Sequence, residues 1–101
     1  MMQKLVSEFI RRHNLQTNAE IRYIDLVSEV GELGKEILKG SDYGRSQLVR
    51  TSQTKDEIGD CLFSLLAVCD AMQIDAEEAV RDSISKYEMR FSKKWDISSG
   101  E

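Results

Sequence analysis

Two pairs of acidic residues, each with a glycine between its members, are the part of this sequence best suited to chemistry. Glu29 and Glu32 lie in the segment EVGE, and Glu57 and Asp60 lie in the segment EIGD. Residues three apart share a face of an α-helix, so each pair places two carboxylates side by side. Like charges at this spacing and glycines within a helix both weaken the helix. The repeated pattern is therefore better explained by a function than by local folding.

A bound divalent cation would explain the two pairs. Mg²⁺ prefers oxygen ligands and commonly binds a few carboxylates together with the phosphates of a substrate. Carboxylates from two antiparallel helices could converge on one such ion, and the glycines would let a substrate or another helix approach closely. The alternative is ordinary surface charge, because 18 of the 101 residues are acidic. Either pair alone fits that alternative, whereas the repetition favours the metal.

Other kinds of site have little support in the sequence. A di-iron carboxylate site requires Glu-x-x-His motifs, and the single histidine, His13, is expected on the surface at the end of the first helix. Cys61 and Cys69 lie in an apolar run without metal-ligand spacing, which indicates core thiols in a reducing compartment. The net charge of −4 argues against nucleic-acid binding. Without a long apolar run for a membrane span, a cytoplasmic protein is expected.

The pattern of apolar residues predicts two helices in the first half of the chain. The first covers residues 2–13, and the second runs from a cap at Asn18 to about Lys39, where Gly40 is well placed to stop it. The apolar face of the second helix comprises Tyr23, Ile24, Leu26, Val27, Val30, Leu33, Ile37 and Leu38. A loop follows, with a partial helical turn expected at residues 47–50.

Two further helices are predicted in the second half. The third is capped by Ser52 or Thr54 and ends near Met72. Its middle, CLFSLLAVC, is apolar nearly all the way round, which indicates that it is covered on more than one side. The fourth helix begins at a capping box formed by Asp75 and Glu78.

The composition predicts a single all-α domain. The chain contains no proline, and its 101 residues suffice for one small core. The fourth helix is expected to end near Trp95, so the domain covers residues 1–95 and residues 96–101 form a frayed tail. Four helices with one long connection indicate a helical bundle, with the third helix packing against a second subunit.

The order of these segments resembles a known family, the MazG-like nucleotide pyrophosphohydrolases of the all-α NTP pyrophosphatase superfamily. The resemblance rests on LVSEVGELGKE, DEIGDCLFSLLA, IDAEEAV and KYEMRF, and it extends roughly from Ile21 to Phe91. In one respect the chain departs from the family pattern. Many members have a lysine immediately before the second motif, whereas Asp56 stands there in this chain and Lys55 precedes it.

The resemblance implies a four-helix bundle-type MazG-like fold whose core is completed by homodimerisation, with a tetramer of two dimers as a further option. It also implies a Mg²⁺-dependent hydrolase, with Mn²⁺ as a substitute ion, that converts nucleoside triphosphates, deoxy and non-standard ones included, to the monophosphate and pyrophosphate. Nucleic acid and membranes are not expected partners.

The resemblance also assigns roles to individual residues. Among the carboxylates of the two acidic pairs, Glu32 is the candidate to orient or deprotonate the attacking water, a role that follows from the chemistry of hydrolysis and not from the resemblance. Basic residues cluster towards the end of the fourth helix, and the resemblance favours Lys86 and Arg90 among them as phosphate ligands. The implied metal ligands are Glu29, Glu32, Glu57 and Asp60.

Two alternatives are kept beside this interpretation. A non-catalytic helical module for oligomerisation or partner binding would show no metal-dependent thermal shift and would release no pyrophosphate. A hydrolase with the same fold and metal could instead act on another substrate, as the related phosphoribosyl-ATP pyrophosphatases and dimeric dUTP hydrolases do.

Overall fold

Four α-helices make up the computed structural model, which describes residues 1–96 of the chain. Within those residues there is no β-strand, so the predicted all-α class is confirmed. The predicted frayed tail lies, from residue 97 onward, outside the described residues. The helices are α1 (Met2–Arg12), α2 (Ala19–Gly40), α3 (Ser52–Ala71) and α4 (Ala76–Asp96).

Short polar side chains fix where the helices begin. Asn18 caps α2 as predicted, because its side chain accepts a hydrogen bond of 2.9 Å from the backbone N–H of Ile21. The cap of α3 is Thr51, one residue before the predicted Ser52. Its reciprocal capping box with Thr54 includes a hydrogen bond of 3.0 Å from the Thr51 N–H to the Thr54 hydroxyl. Asp75 caps α4 by accepting hydrogen bonds from the first N–H groups of that helix.

The loop between α2 and α3 turns sharply and then returns to the end of α2. Three consecutive residues with positive φ, Asp42, Tyr43 and Gly44, reverse the chain. The predicted helical turn at residues 47–50 is wrong, because this segment is irregular and the Val49 N–H donates a hydrogen bond of 2.9 Å to the Gly40 carbonyl. Gly40 is the last residue of α2, and its lack of a side chain is what allows this contact.

Replacing Gly40 by alanine is expected to destabilise the protein. A Cβ atom at this position would lie 2.5 Å from the Val49 carbonyl oxygen, so the loop must move. Overpacking of this kind costs about 1–3 kcal/mol, and each kcal/mol lowers the melting temperature by roughly 4–8 °C in a domain of this size. Thermal unfolding measures the effect. Gly31→Ala is the matched control, since nothing lies within 4 Å of a Cβ there; an equal fall in that variant would contradict the explanation.

The core is small and lies where α1 and α2 pack against α3. α2 and α3 are antiparallel, and α1 packs against the second half of α3 through an edge-to-face contact between Phe9 and Phe63. Gln3 of α1 fixes the start of α4, since its amide donates to the Ile74 carbonyl and accepts from the Ala76 N–H, each at 2.7 Å. The buried apolar residues are Val6, Ile10, Leu66 and Ala67.

The apolar face predicted for α2 is largely exposed in the single chain. Six of its eight residues are exposed, and only Leu26 and Leu33 are half-buried. The side of α2 that meets α3 instead carries these two leucines alternating with Glu29 and Glu36, at spacings of three and four residues. Two acidic side chains thus lie beside these leucines on the side of α2 that meets α3.

The fourth helix extends away from the others. In the described part of the chain α4 makes no extended contact with another helix, although Ala76 in its first turn touches the core. The radius of gyration is 17.7 Å, against about 13 Å for a compact chain of this length. The accessible surface is 8036 Å², roughly 2,000 Å² more than the 5,800 Å² or so expected for a compact domain of this mass.

Candidate metal centre

Three of the four predicted metal ligands come together between α2 and α3. One carboxylate oxygen from each of Glu29, Glu57 and Asp60 lies within 4.8 Å of the others. Glu29 and Glu57 are half-buried, whereas Asp60 is exposed. The group is therefore held between the two helices on one side and open to solvent on the other, an arrangement that leaves room for a further ligand.

A hydrogen bond at the loop end of the two helices holds them at this separation. The Thr51 hydroxyl donates to Oε2 of Glu36 at 2.6 Å, and Glu36 is only 9% exposed. Glu36 follows Glu29 by two turns of α2, and Thr51 precedes Glu57 by nearly two turns of α3. This contact fixes which turn of α2 faces which turn of α3.

Glu32 is not part of the group of three. Its side chain is exposed, and its Oε1 lies 3.9 Å from the Lys35 ammonium nitrogen one turn further along α2. The negative charge of Glu32 still acts on the group, because it is among the charges that raise the pKa of Glu57. As Glu32 lies one turn from Glu29, it borders the centre from the solvent side.

The electrostatics of the centre favour a cation. Partial burial raises the pKa of Glu57 above its ordinary value, and the negative charges of Asp60, Glu32, Glu29 and Glu36 raise the pKa further, in that order. Within the cluster, no basic side chain forms an ion pair with Glu29, Glu57 or Asp60 among the described residues. A positive ion at this point would reverse the direction of the shift.

Cys61 borders the same centre but is poorly suited to act as a nucleophile. Burial raises the pKa of its thiol, and the charges of Glu29, Glu57 and Asp60 raise the pKa further. The reactive form of cysteine is the thiolate, which these surroundings disfavour. Cys61 and Cys69 are both free and half-buried.

The predicted phosphate ligands lie on α4, a helix that does not pack along the two helices that carry the acids. The Lys86 ammonium and the Arg90 guanidinium lie 5.8 Å and 5.5 Å from the centre of the Tyr87 ring on α4. Asp60 lies 11 residues before the end of α3, which is about 16 Å along that helix from the turn into α4. Among the described residues α4 makes no extended contact with α2 or α3, so no packing between these helices brings the basic pair to the acidic centre.

Two residues that support the centre were not singled out by sequence reasoning. Glu36 has no role in the predicted metal site, and Thr51 lies one residue before the expected caps, Ser52 and Thr54. The signals were present in the sequence: Glu36 shares a helix face with Glu29, and Thr51 stands three residues before Thr54, the spacing of a capping box.

A comparison with protein families gives one match. The model of the MazG nucleotide pyrophosphohydrolase domain matches residues 16–95, a range that includes all three clustered acids and most of α4. Comparisons with curated proteins and with solved structures each found no significant match. None of the helices in the described residues is both long enough and apolar enough to cross a membrane.

Proposed function

Because the chain belongs to the MazG nucleotide pyrophosphohydrolase family, we propose that it is a Mg²⁺-dependent nucleoside triphosphate pyrophosphohydrolase. Its substrates would be ribo- or deoxynucleoside triphosphates, non-standard ones included, and its products the monophosphate and pyrophosphate. The observation that carries the proposal is the convergence of Glu29, Glu57 and Asp60 from two helices that the family match covers.

The donor set fits Mg²⁺. All three residues offer carboxylate oxygens, which are the hard ligands this ion prefers. An octahedral Mg²⁺ site has ligand distances of about 2.0–2.1 Å, so its ligand oxygens lie roughly 3–4 Å apart. Oxygens already within 4.8 Å of one another need only small side-chain rotations to reach that spacing. The exposed side of Asp60 leaves coordination positions for water and for phosphate oxygens.

The residues around the ion would divide the work of hydrolysis. A bound Mg²⁺ supplies positive charge for the polyphosphate and lowers the pKa of a coordinated water. Glu29, Glu57 and Asp60 would hold the ion, while Glu32, on the solvent side one turn from Glu29, would accept a hydrogen bond from the attacking water and orient it. Lys86 and Arg90 would neutralise phosphate oxygens.

A homodimer would cover apolar side chains that the single chain leaves exposed and would bring basic residues to the acidic centre. Residues Val80, Ile84, Tyr87 and Phe91 form an apolar stripe along α4 in which each side chain is between 51% and 66% exposed. A second copy would cover this stripe together with the exposed face of α2, and the excess surface per chain is of the size that obligate dimers bury. Basic residues at the edge of the stripe would then approach an acidic centre in the other copy.

The proposed activity is tested by measuring pyrophosphate release from a panel of ribo-, deoxy- and modified nucleoside triphosphates. We expect release from at least one nucleotide with Mg²⁺, retained activity with Mn²⁺, and none in EDTA. Inorganic phosphate measured alongside distinguishes this reaction from removal of the terminal phosphate alone. If no nucleotide yields pyrophosphate and Mg²⁺ leaves the melting temperature unchanged, the non-catalytic helical module is the correct interpretation.

A further inference from the structure

An open cavity lies beside the acidic centre, between the end of α2 and the segment that leads into α3. Its volume is about 260 Å³. None of the proposed metal or phosphate ligands lines it. The residues that line it are Glu36, Ile37, Leu48, Val49, Arg50 and Thr54.

The walls of this cavity are held in place by backbone contacts on one side and by a buried side chain on the other. The hydrogen bond from Val49 to Gly40 holds the loop against α2. On the other side, Glu36 accepts the hydroxyl hydrogen bond from Thr51, the capping residue of α3. The cavity is therefore formed before any ligand arrives, apart from the freedom of the exposed Leu48 and Val49 side chains.

The cavity is close enough to the acidic centre to serve the same ligand. Thr54 lies one turn before Glu57 on the same face of α3, and Glu36 lies two turns, or about 10 Å, beyond Glu29 on the same face of α2. The charge of Glu36 also contributes to the raised pKa of Glu57. A nucleotide whose phosphates lie at the acids is long enough for its base, one sugar away, to reach this cavity.

Glu36 gives the cavity a preference in hydrogen bonding. An ionised carboxylate only accepts hydrogen bonds, through about four lone-pair sites on two oxygens. Among the described residues Glu36 accepts one such bond, from Thr51 to Oε2, so acceptor capacity is left at a side chain that is 9% exposed and lines the cavity. A donor group on a ligand would be bound there, whereas a carbonyl oxygen would face the carboxylate without a hydrogen.

From these contacts we infer that the cavity binds the nucleobase and that Glu36 accepts a hydrogen bond from an exocyclic amino group. The apolar side chains of Ile37, Leu48 and Val49 contact the faces of the ring. The chain thus favours bases with an amino group, such as cytosine and adenine, over bases with a carbonyl at the same ring position, such as uracil and hypoxanthine. This inference rests on the proposed function for the position of the phosphates.

Two matched substrate pairs test the inference, because within each pair an amino group is exchanged for a carbonyl at the same ring position. They are dCTP with dUTP, and dATP with dITP, and in each pair the exchange also adds a hydrogen to the ring nitrogen beside that group. For a pair that the wild type hydrolyses, we expect kcat/KM to favour the amino base by at least about tenfold, the usual effect of one hydrogen bond to a charged group. Glu36→Gln keeps an acceptor for Thr51 and adds an amide donor for a carbonyl, so it should lower this ratio by at least about tenfold.

The control is Thr51→Val, which removes the hydroxyl but leaves the carboxylate in the cavity wall. It should lower the melting temperature and keep the substrate ratio within about threefold of the wild type. A wild-type preference for the carbonyl base would overturn the inference. So would an equal loss on both members of a pair in Glu36→Gln, because Glu36 would then act only on the fold.

Binding of the product monophosphates separates failure of this inference from failure of the proposed activity. Calorimetry with dCMP, dUMP, dAMP and dIMP requires no turnover. If no triphosphate is hydrolysed, the proposed activity fails, and the binding data still decide the role of the cavity. Tighter binding of dCMP than dUMP, or of dAMP than dIMP, that Glu36→Gln reverses supports it; equal binding within both pairs, or no binding, overturns it.

Discussion

Replacing Asp60 by asparagine is expected to reduce pyrophosphate release by about 10²- to 10³-fold or more, the size of loss found when one group that stabilises a transition state is removed. Asp60 is the exposed member of the acidic group, so its loss removes one ligand charge without opening a cavity in the core. In EDTA the melting temperature of the variant should not be lower than that of the wild type. The reason is that Asp60→Asn removes the negative charge that repels Glu57 and raises its pKa. Kinetics and thermal unfolding of the same preparation measure both effects.

Asp56→Asn is the matched control for this change. Asp56 is exposed, lies on the same helix and undergoes the same substitution, but it does not belong to the acidic group. Its activity should stay within about threefold of the wild type, as expected for a solvated surface charge. Equal losses in both variants would show that overall charge, and not ligation at Asp60, sets the rate.

Replacing Ile84 by glutamate is expected to convert the proposed dimer into a monomer. Ile84 lies at the centre of the apolar stripe on α4 and is 51% exposed in the single chain. A charge buried without a partner at an interface costs about 3–5 kcal/mol, which corresponds to a fall in melting temperature of more than about 12 °C. Light scattering should give twice 11.6 kDa for the wild type and 11.6 kDa for the variant, and hydrolysis should fall with dimer content.

Met89→Glu provides the comparison, because Met89 lies on the opposite face of α4 and is 71% exposed. That variant should remain a dimer with a melting temperature close to that of the wild type. A wild-type chain that is monomeric at micromolar concentration, with full activity, would contradict the dimer and leave the basic residues of α4 without a role at the acidic centre.

Local sequence signals were sufficient for much of the fold. The cap at Asn18 and the cap at Asp75 were read directly from residue type and position, and the structure has both. What covers the apolar face of α2 was not predicted, since periodicity identifies an apolar stripe but does not say whether the same chain covers it. In this protein the stripe is left exposed, while Leu26 and Leu33 meet α3 beside acidic residues.

The acidic centre could be predicted only in part from these local sequence signals. The spacing within each pair predicted a shared helix face, but the convergence of Glu29 with Glu57 and Asp60 depends on how α2 is placed against α3. That placement is fixed by the contact between Glu36 and Thr51, residues 15 apart in the chain. Glu32, with the same local pattern as its neighbours, pairs with Lys35 outside the group.

The two hydrogen bonds made by Gln3 have a consequence far from that residue. They hold the bend from which α4 departs, and α4 is 21 residues, or about 32 Å, long. Over that length a tilt of only about 10° moves the far end of α4 by roughly 5 Å. A displacement of that size is close to the rise of one helical turn, so it would misplace the side chains at the end of α4. The side-chain amide of Gln3 in α1 therefore determines the direction of α4, the helix through which two copies of the chain would pack.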